Sequence, residues 1–104
     1  MLLVTTETIT GRKIVKHLGL VRGNTIRARH IGKDIVAGLK NIVGGEIGDY
    51  TKLMAESREQ SIDRMIENAK GMGANAIVGV RFSTTEVMQR AAEILVYGTA
   101  VVVE

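Results

Sequence analysis

The chain has no cysteine, no proline and no tryptophan, and only three aromatic residues, Tyr50, Phe82 and Tyr97. Without cysteine there can be no disulfide, no thiolate metal ligand and no thiol nucleophile. Without proline no element is kinked by a ring and no slow prolyl isomer enters folding. With so few aromatics, the core must be built from Ile, Val, Leu, Met and Ala. Such a core gains less area per residue than an aromatic-rich one, and burial between subunits would add to it. The opening Met1-Leu2-Leu3-Val4-Thr5-Thr6 lacks the length and charge of a signal peptide. No apolar run approaches the roughly 20 residues a membrane span needs. The expected location is the cytoplasm, with no membrane partner.

What is present fits one folded domain over residues 1–104. Hydrophobic residues make up 45% of the chain, too many for disorder. Fourteen basic and 11 acidic residues leave a net charge of +3. That weak basic bias does not by itself imply nucleic acid.

Leu2 to Thr6 is β-rich and predicts a first strand. Thr10 can cap a short helix stopped by Gly19, in which Ile14, Val15 and Leu18 form one stripe. Gly19 to Ile31 reads as a strand, bent at Gly23-Asn24, with Ile26 and Ala28 turned inward and Arg27 and Arg29 outward. Residues 33–43 carry Ile35, Val36, Leu39, Ile42 and Val43 at helical spacing. Asp49 is placed to cap a long helix from Tyr50 to about Met72, and Gly71 and Gly73 end it. Leu53, Met54, Ser57, Ser61, Ile62, Met65, Ala69 and Met72 follow one face of that helix. Two strands follow, about 76–86 and 93–103, joined through Val87 to Ala92 as an antiparallel hairpin. The expected class is α+β, in the order β-α-β-α-α-β-β, an antiparallel sheet with helices packed on one face.

The last strand carries an argument about assembly. One face holds Ile94, Val96, Gly98, Ala100 and Val102; the other holds Leu95, Tyr97, Thr99, Val101 and Val103. Neither is polar, and Ile77-Val78-Gly79-Val80 is similar. An antiparallel sheet in a small monomer usually shows one face to water. If helices cover one face, a neighbouring subunit is the simplest cover for the other. The expected oligomer interface is Val78, Val80, Val96, Gly98, Ala100 and Val102, and the expected partner is a second copy of the chain.

No motif carries obvious chemistry. Gly44-Gly45-Glu46-Ile47-Gly48 precedes a helix and could cradle an anion. Its spacing matches neither the dinucleotide fingerprint nor the P-loop, so a helix stop and turn is its ordinary reading. Gly44, Gly45, Gly48 and Tyr50 are the ligand-binding candidates, for a small ligand. Met54, Met65 and Met72 share a helix face, but Met54 and Met65 stand about 16 Å apart along it, so the stripe reads as core. His17 and His30 have no metal-ligand spacing. Arg22, Arg27, Arg29, His30 and Lys33 form a basic stretch without interleaved aromatics, which gives no support to base stacking. Ser57, Ser61 and Ser83 lie in no nucleophile motif. No catalytic residue, metal site or cofactor is expected.

The order of several short segments resembles one known family. Val4-Thr5-Thr6 opens the chain; Val43-Gly44-Gly45 is followed by Gly48 and Tyr50; then come Gly73-Ala74-Asn75-Ala76-Ile77-Val78-Gly79 and Gly98-Thr99-Ala100-Val101. Together they are similar to the YbjQ-like proteins, bacterial-type chains labelled heavy-metal-binding, over the whole length. The resemblance implies a compact α+β subunit and a ring-like homopentamer whose sheets close a barrel. It also implies metal binding as an alternative function. With no Cys and two separated His, no metal ligand carries over to this chain. An enzyme whose site is shared between subunits is a further alternative.

Overall fold

The computed structural model describes residues 1–28, 48–88 and 91–104. Its elements are β1 (Leu2–Leu3), β2 (Ile14–Ala28), α1 (Gly48–Met72), β3 (Ala76–Met88) and β4 (Ala91–Val103). The chain is α+β, with one helix among the described residues and a four-stranded sheet in the order β1-β3-β4-β2. β4 pairs antiparallel with both β2 and β3, but β1 runs parallel to β3, so the sheet is mixed rather than antiparallel. It is open, with β1 and β2 as its edges. The amphipathic segment 33–43 lies outside the described residues.

Two expectations about the first third of the chain are corrected. The helix expected from Thr10 to Gly19 is the start of β2, with Ile14 opposite Val103 and His17 opposite Val101. Ile14, Val15 and Leu18 form no stripe there: Leu18 packs on the helix side of the sheet, Ile14 on the other, and Val15 is 45% exposed, with register shifts at Ile14/Lys16 and His17/Gly19 interrupting the alternation. Each shift changes which face the next residues take. Gly19 adopts a φ of 116° within the strand. Ile26, expected inward, faces out: Val21, Gly23 and Thr25 are buried, whereas Ile26 is 60% exposed. The helix fixes this choice. A methyl group on Gly23 would overlap the Ser61 carbonyl oxygen and the Met65 amide nitrogen, so only glycine lets the two backbones approach so closely.

The remaining elements follow the sequence pattern. The long helix begins at Gly48, and the hairpin strands extend to Met88 and from Ala91. α1 packs across β2 and β4 through Ser57, Ser61, Met65 and Ala69, all fully buried at a spacing of four. Met72, expected on this stripe, is 37% exposed because the stripe ends a turn earlier.

The sheet has a core on each side. On the helix side, Val21, Met65, Ala69, Ile77, Val80, Val96 and Ala100 cluster. On the other side, Ala76, Val78, Val101 and Val103 are buried, with Val4, Ile9 and Ile14 packed against them. The chain's own N-terminal segment therefore covers one end of the second face. Three backbone bonds tie that segment to β3: Val4 N–H to Ile77 O (3.0 Å), Val80 N–H to Val4 O (3.0 Å) and Gly79 N–H to Thr6 O (2.8 Å). Gly79, at a φ of 63°, sits where β3 slips against β4 between Val78 and Arg81. That bulge turns Val80 toward the helix.

Candidate functional site

The ligand candidates near the glycine run are only partly visible. Gly44 and Gly45 lie outside the described residues; Gly48 opens α1 and Tyr50 falls in its first turn. The residues expected at an oligomer interface are largely used within the subunit. Val78, Val80, Val96, Gly98 and Ala100 are buried by the chain itself, and Val102 is half-buried. His17 is exposed on β2, while His30 lies outside the described residues. Of the basic stretch, Arg22 is exposed on β2; Arg29, His30 and Lys33 are outside the description.

Three arrangements emerge that the order of residues did not announce. The first is a buried hydroxyl cluster between helix and sheet. Ser61 Oγ lies 3.0 Å from Thr25 Oγ1, 2.9 Å from Ser57 O and 3.2 Å from Ile94 O. Thr25 Oγ1 also donates to Ser57 O at 3.2 Å, and Ser57 Oγ to Leu53 O at 2.8 Å. These contacts satisfy the hydroxyls and include no general base, so the cluster fastens α1 to β2 and β4.

The second is a polar groove along the outer edge of β2, lined by Asn24, Gln60, Asp63, Arg64, Glu67 and Asn68, with Gly23 at its floor. Arg64 donates to Asn24 O and Asn68 to Arg22 O, each at 2.7 Å. Helix side chains thereby occupy carbonyls that an edge strand would otherwise offer to another chain.

The third is a cleft between α1 and β3, lined by Ala55, Arg58, Glu59, Ile62, Phe82 and Thr84. Among the described residues, α1 crosses β2 and β4, and nothing else covers the helix-side face of distal β3. Phe82 is 49% exposed there.

The chain has no cysteine, and among the described residues no three His, Asp or Glu side chains come together to hold an ion. Among the described residues no helix is long and apolar enough to cross a membrane.

Comparison with known proteins places the chain firmly. A family model described as "Putative heavy-metal-binding" matches residues 1–104. A UPF0145 protein of Dehalococcoides mccartyi is 62% identical over 104 residues, covering all of both chains. One from Hahella chejuensis is 58% identical with the same coverage. One from Methanosarcina acetivorans is 56% identical, covering 97% of this chain and 95% of its own. The relatives therefore include an archaeal protein as well as bacterial ones. None of these names states an activity. A crystal structure of a protein of unknown function from Pediococcus pentosaceus, of the DUF74 family, superposes with a TM-score of 0.66. It covers 100% of this chain and 98% of its own at 13% identity, which shows a shared fold.

Proposed function

Because the chain belongs to the YbjQ-like, UPF0145 family, whose members' names state no activity, we propose that it acts as a homo-oligomeric binding or assembly module rather than as a single-subunit enzyme. The observation that carries this reading is the uncovered distal half of β3. Backbone bonds from the N-terminal segment reach β3 only as far as Val80. From Arg81 to Met88 its outer edge has no strand neighbour among the described residues. An unpaired edge beside a half-exposed phenylalanine is a surface that small proteins usually cover.

The subunit's shape supports the same reading. It measures 54 × 22 × 17 Å with a radius of gyration of 17.2 Å, against about 13 Å for a compact domain of this length. Among the described residues, strands of 13 to 15 residues on one helix make a long body with much surface. A second copy meeting the β3 edge and Phe82 by a heterologous contact would generate a ring. Five is the count the family resemblance implies, with the sheets closing a barrel across subunits. Small ligands would then sit between subunits, near the glycine-rich approach to α1.

Light scattering coupled to gel filtration tests the assembly. The expected mass is a discrete multiple, about five times the 11.3 kDa chain. A monomer at micromolar concentration would remove the proposal. Titration with Zn²⁺, Ni²⁺ and Cu⁺ tests the alternative reading from the family's description. Stoichiometric binding below micromolar would establish a metal site and overturn the non-metal reading.

A further inference from the structure

The outer face of the sheet, opposite α1, has a distinct chemistry where the N-terminal segment stops covering it. The pairing register sets Arg22 of β2 and Arg81 of β3 on either side of Tyr97 in β4. Directly opposed residues share a sheet face and stand about 5 Å apart at Cβ. All three side chains lie on the face away from the helix, since their neighbours Val21, Val80 and Val96 are buried on the helix side. Tyr97 is 36% exposed, and Arg22 is exposed.

Among the described residues no carboxylate pairs with either guanidinium. The Arg22 guanidinium has no hydrogen-bond or ion-pair partner among the described residues; its backbone carbonyl is engaged by Asn68. Arg81 donates to Thr5 O at 2.7 Å and to Val80 O at 2.9 Å, both backbone carbonyls. Those bonds orient its head group without neutralising it. Glu93 is the carboxylate on the same face of β4, four residues from Tyr97, and its Oε2 accepts from Asn24 Nδ2 at 3.1 Å. The row thus presents an aromatic ring between two cations on an open sheet surface.

We propose that this face binds single-stranded nucleic acid, with a base stacked on Tyr97 and the adjoining phosphates on Arg22 and Arg81. Arginine suits phosphate through its planar, bidentate fork. A half-exposed aromatic on the central strand of a sheet is a stacking platform for unpaired bases. The surface is an open sheet face rather than a hollow, which suits a chain ligand better than a small molecule that needs enclosure. Leu20 and Ile26, 66% and 60% exposed on the same face of β2, extend the apolar floor beside the row. The aromatic that the basic stretch lacks in sequence is supplied by the register. The three residues belong to one subunit, and the proposal requires the assembly to leave this face open, as a contact through the β3 edge alone would.

The test is fluorescence anisotropy of the full chain with labelled twelve-nucleotide oligouridylate and oligothymidylate at low salt. A duplex of equal length, UMP and inorganic phosphate serve as competitors. Saturable binding is expected, stronger for one of the two strands if the 2′-hydroxyl is read. Tyr97→Ala should weaken it about tenfold and Tyr97→Phe should restore it. Arg22→Gln should lower the salt slope by about 1. Amide shifts in NMR spectra of the unaltered protein, where no variant can misfold, should concentrate at Ser83, Asn24 and Thr99 and spare Arg58 and Glu59. Absence of binding would overturn the proposal. So would UMP or phosphate competing as well as the strand, or affinity indifferent to both variants. A Tyr97→Ala protein of altered oligomeric mass would assign the face to a second copy and likewise overturn it.

Discussion

At Gly23 one methyl group decides whether helix and sheet can meet. The added carbon would overlap the Ser61 oxygen and Met65 nitrogen, both backbone atoms that cannot swing aside. Gly23→Ala should therefore lower the unfolding free energy by about 2–3 kcal/mol, as overpacking of a close-fitted core does. Gly71 is the contrasting case: it lies in the last turn of α1, exposed, with nothing near its would-be Cβ. Gly71→Ala should raise stability by about 0.5–1 kcal/mol, through helix propensity and a stiffer unfolded chain. Urea denaturation of both variants checks the pair, and midpoints moving in the same direction would contradict the packing described. The role of Gly23 was not legible in the sequence. Gly23-Asn24 reads locally as a bend, and what makes the glycine necessary is a helix that arrives much later in the chain.

Among the elements, α1, β3 and β4 were legible because each is long and strongly patterned. The start of β2 was not, because bulges shift its alternation until Ile14, Val15 and Leu18 imitate a helical stripe. The same effect at Gly79 sets Ile77 and Val80, three apart, on one side of the sheet. The junction between α1 and β3 is held by a device equally hidden in sequence. Asn75 Nδ2 donates to Val103 O, and the Val103 N–H donates to Asn75 Oδ1, both at 2.8 Å. The side-chain amide thus extends the ladder by one rung beyond Ala76. Asn75→Ala should cost about 1–3 kcal/mol, from two bonds lost at a half-buried strand end. Asn75→Asp should rescue little, because its carboxylate accepts from the Val103 N–H but repels the Val103 oxygen. Hydrogen exchange at the Val103 amide should quicken in both variants; unchanged protection would show the side chain to be dispensable.

For the whole molecule, the apolar character of both β4 faces was legible, and what covers each face was not. The helix packs over Val96 and Ala100, and the N-terminal segment packs against the cluster that holds Val101 and Val103. Phe82, half-exposed on β3, is the ring that the proposed subunit contact would cover, and it has no special standing in the sequence. This division separates folding from assembly. Val101 is completely buried, so Val101→Asp places an unpaired carboxylate in the core, at a cost of about 3–5 kcal/mol. That is a large share of a small domain's stability. The variant should unfold at much lower urea or fail to accumulate. Phe82→Ser removes an exposed ring and leaves both cores intact, so its far-ultraviolet circular dichroism should match the parent's. Its mass by light scattering should fall toward 11.3 kDa, the mass of one chain. A stably folded Val101→Asp protein would refute the two-sided core. A Phe82→Ser protein that kept the parent's oligomeric mass would move the subunit contact away from β3 and leave the exposure of its edge without an explanation.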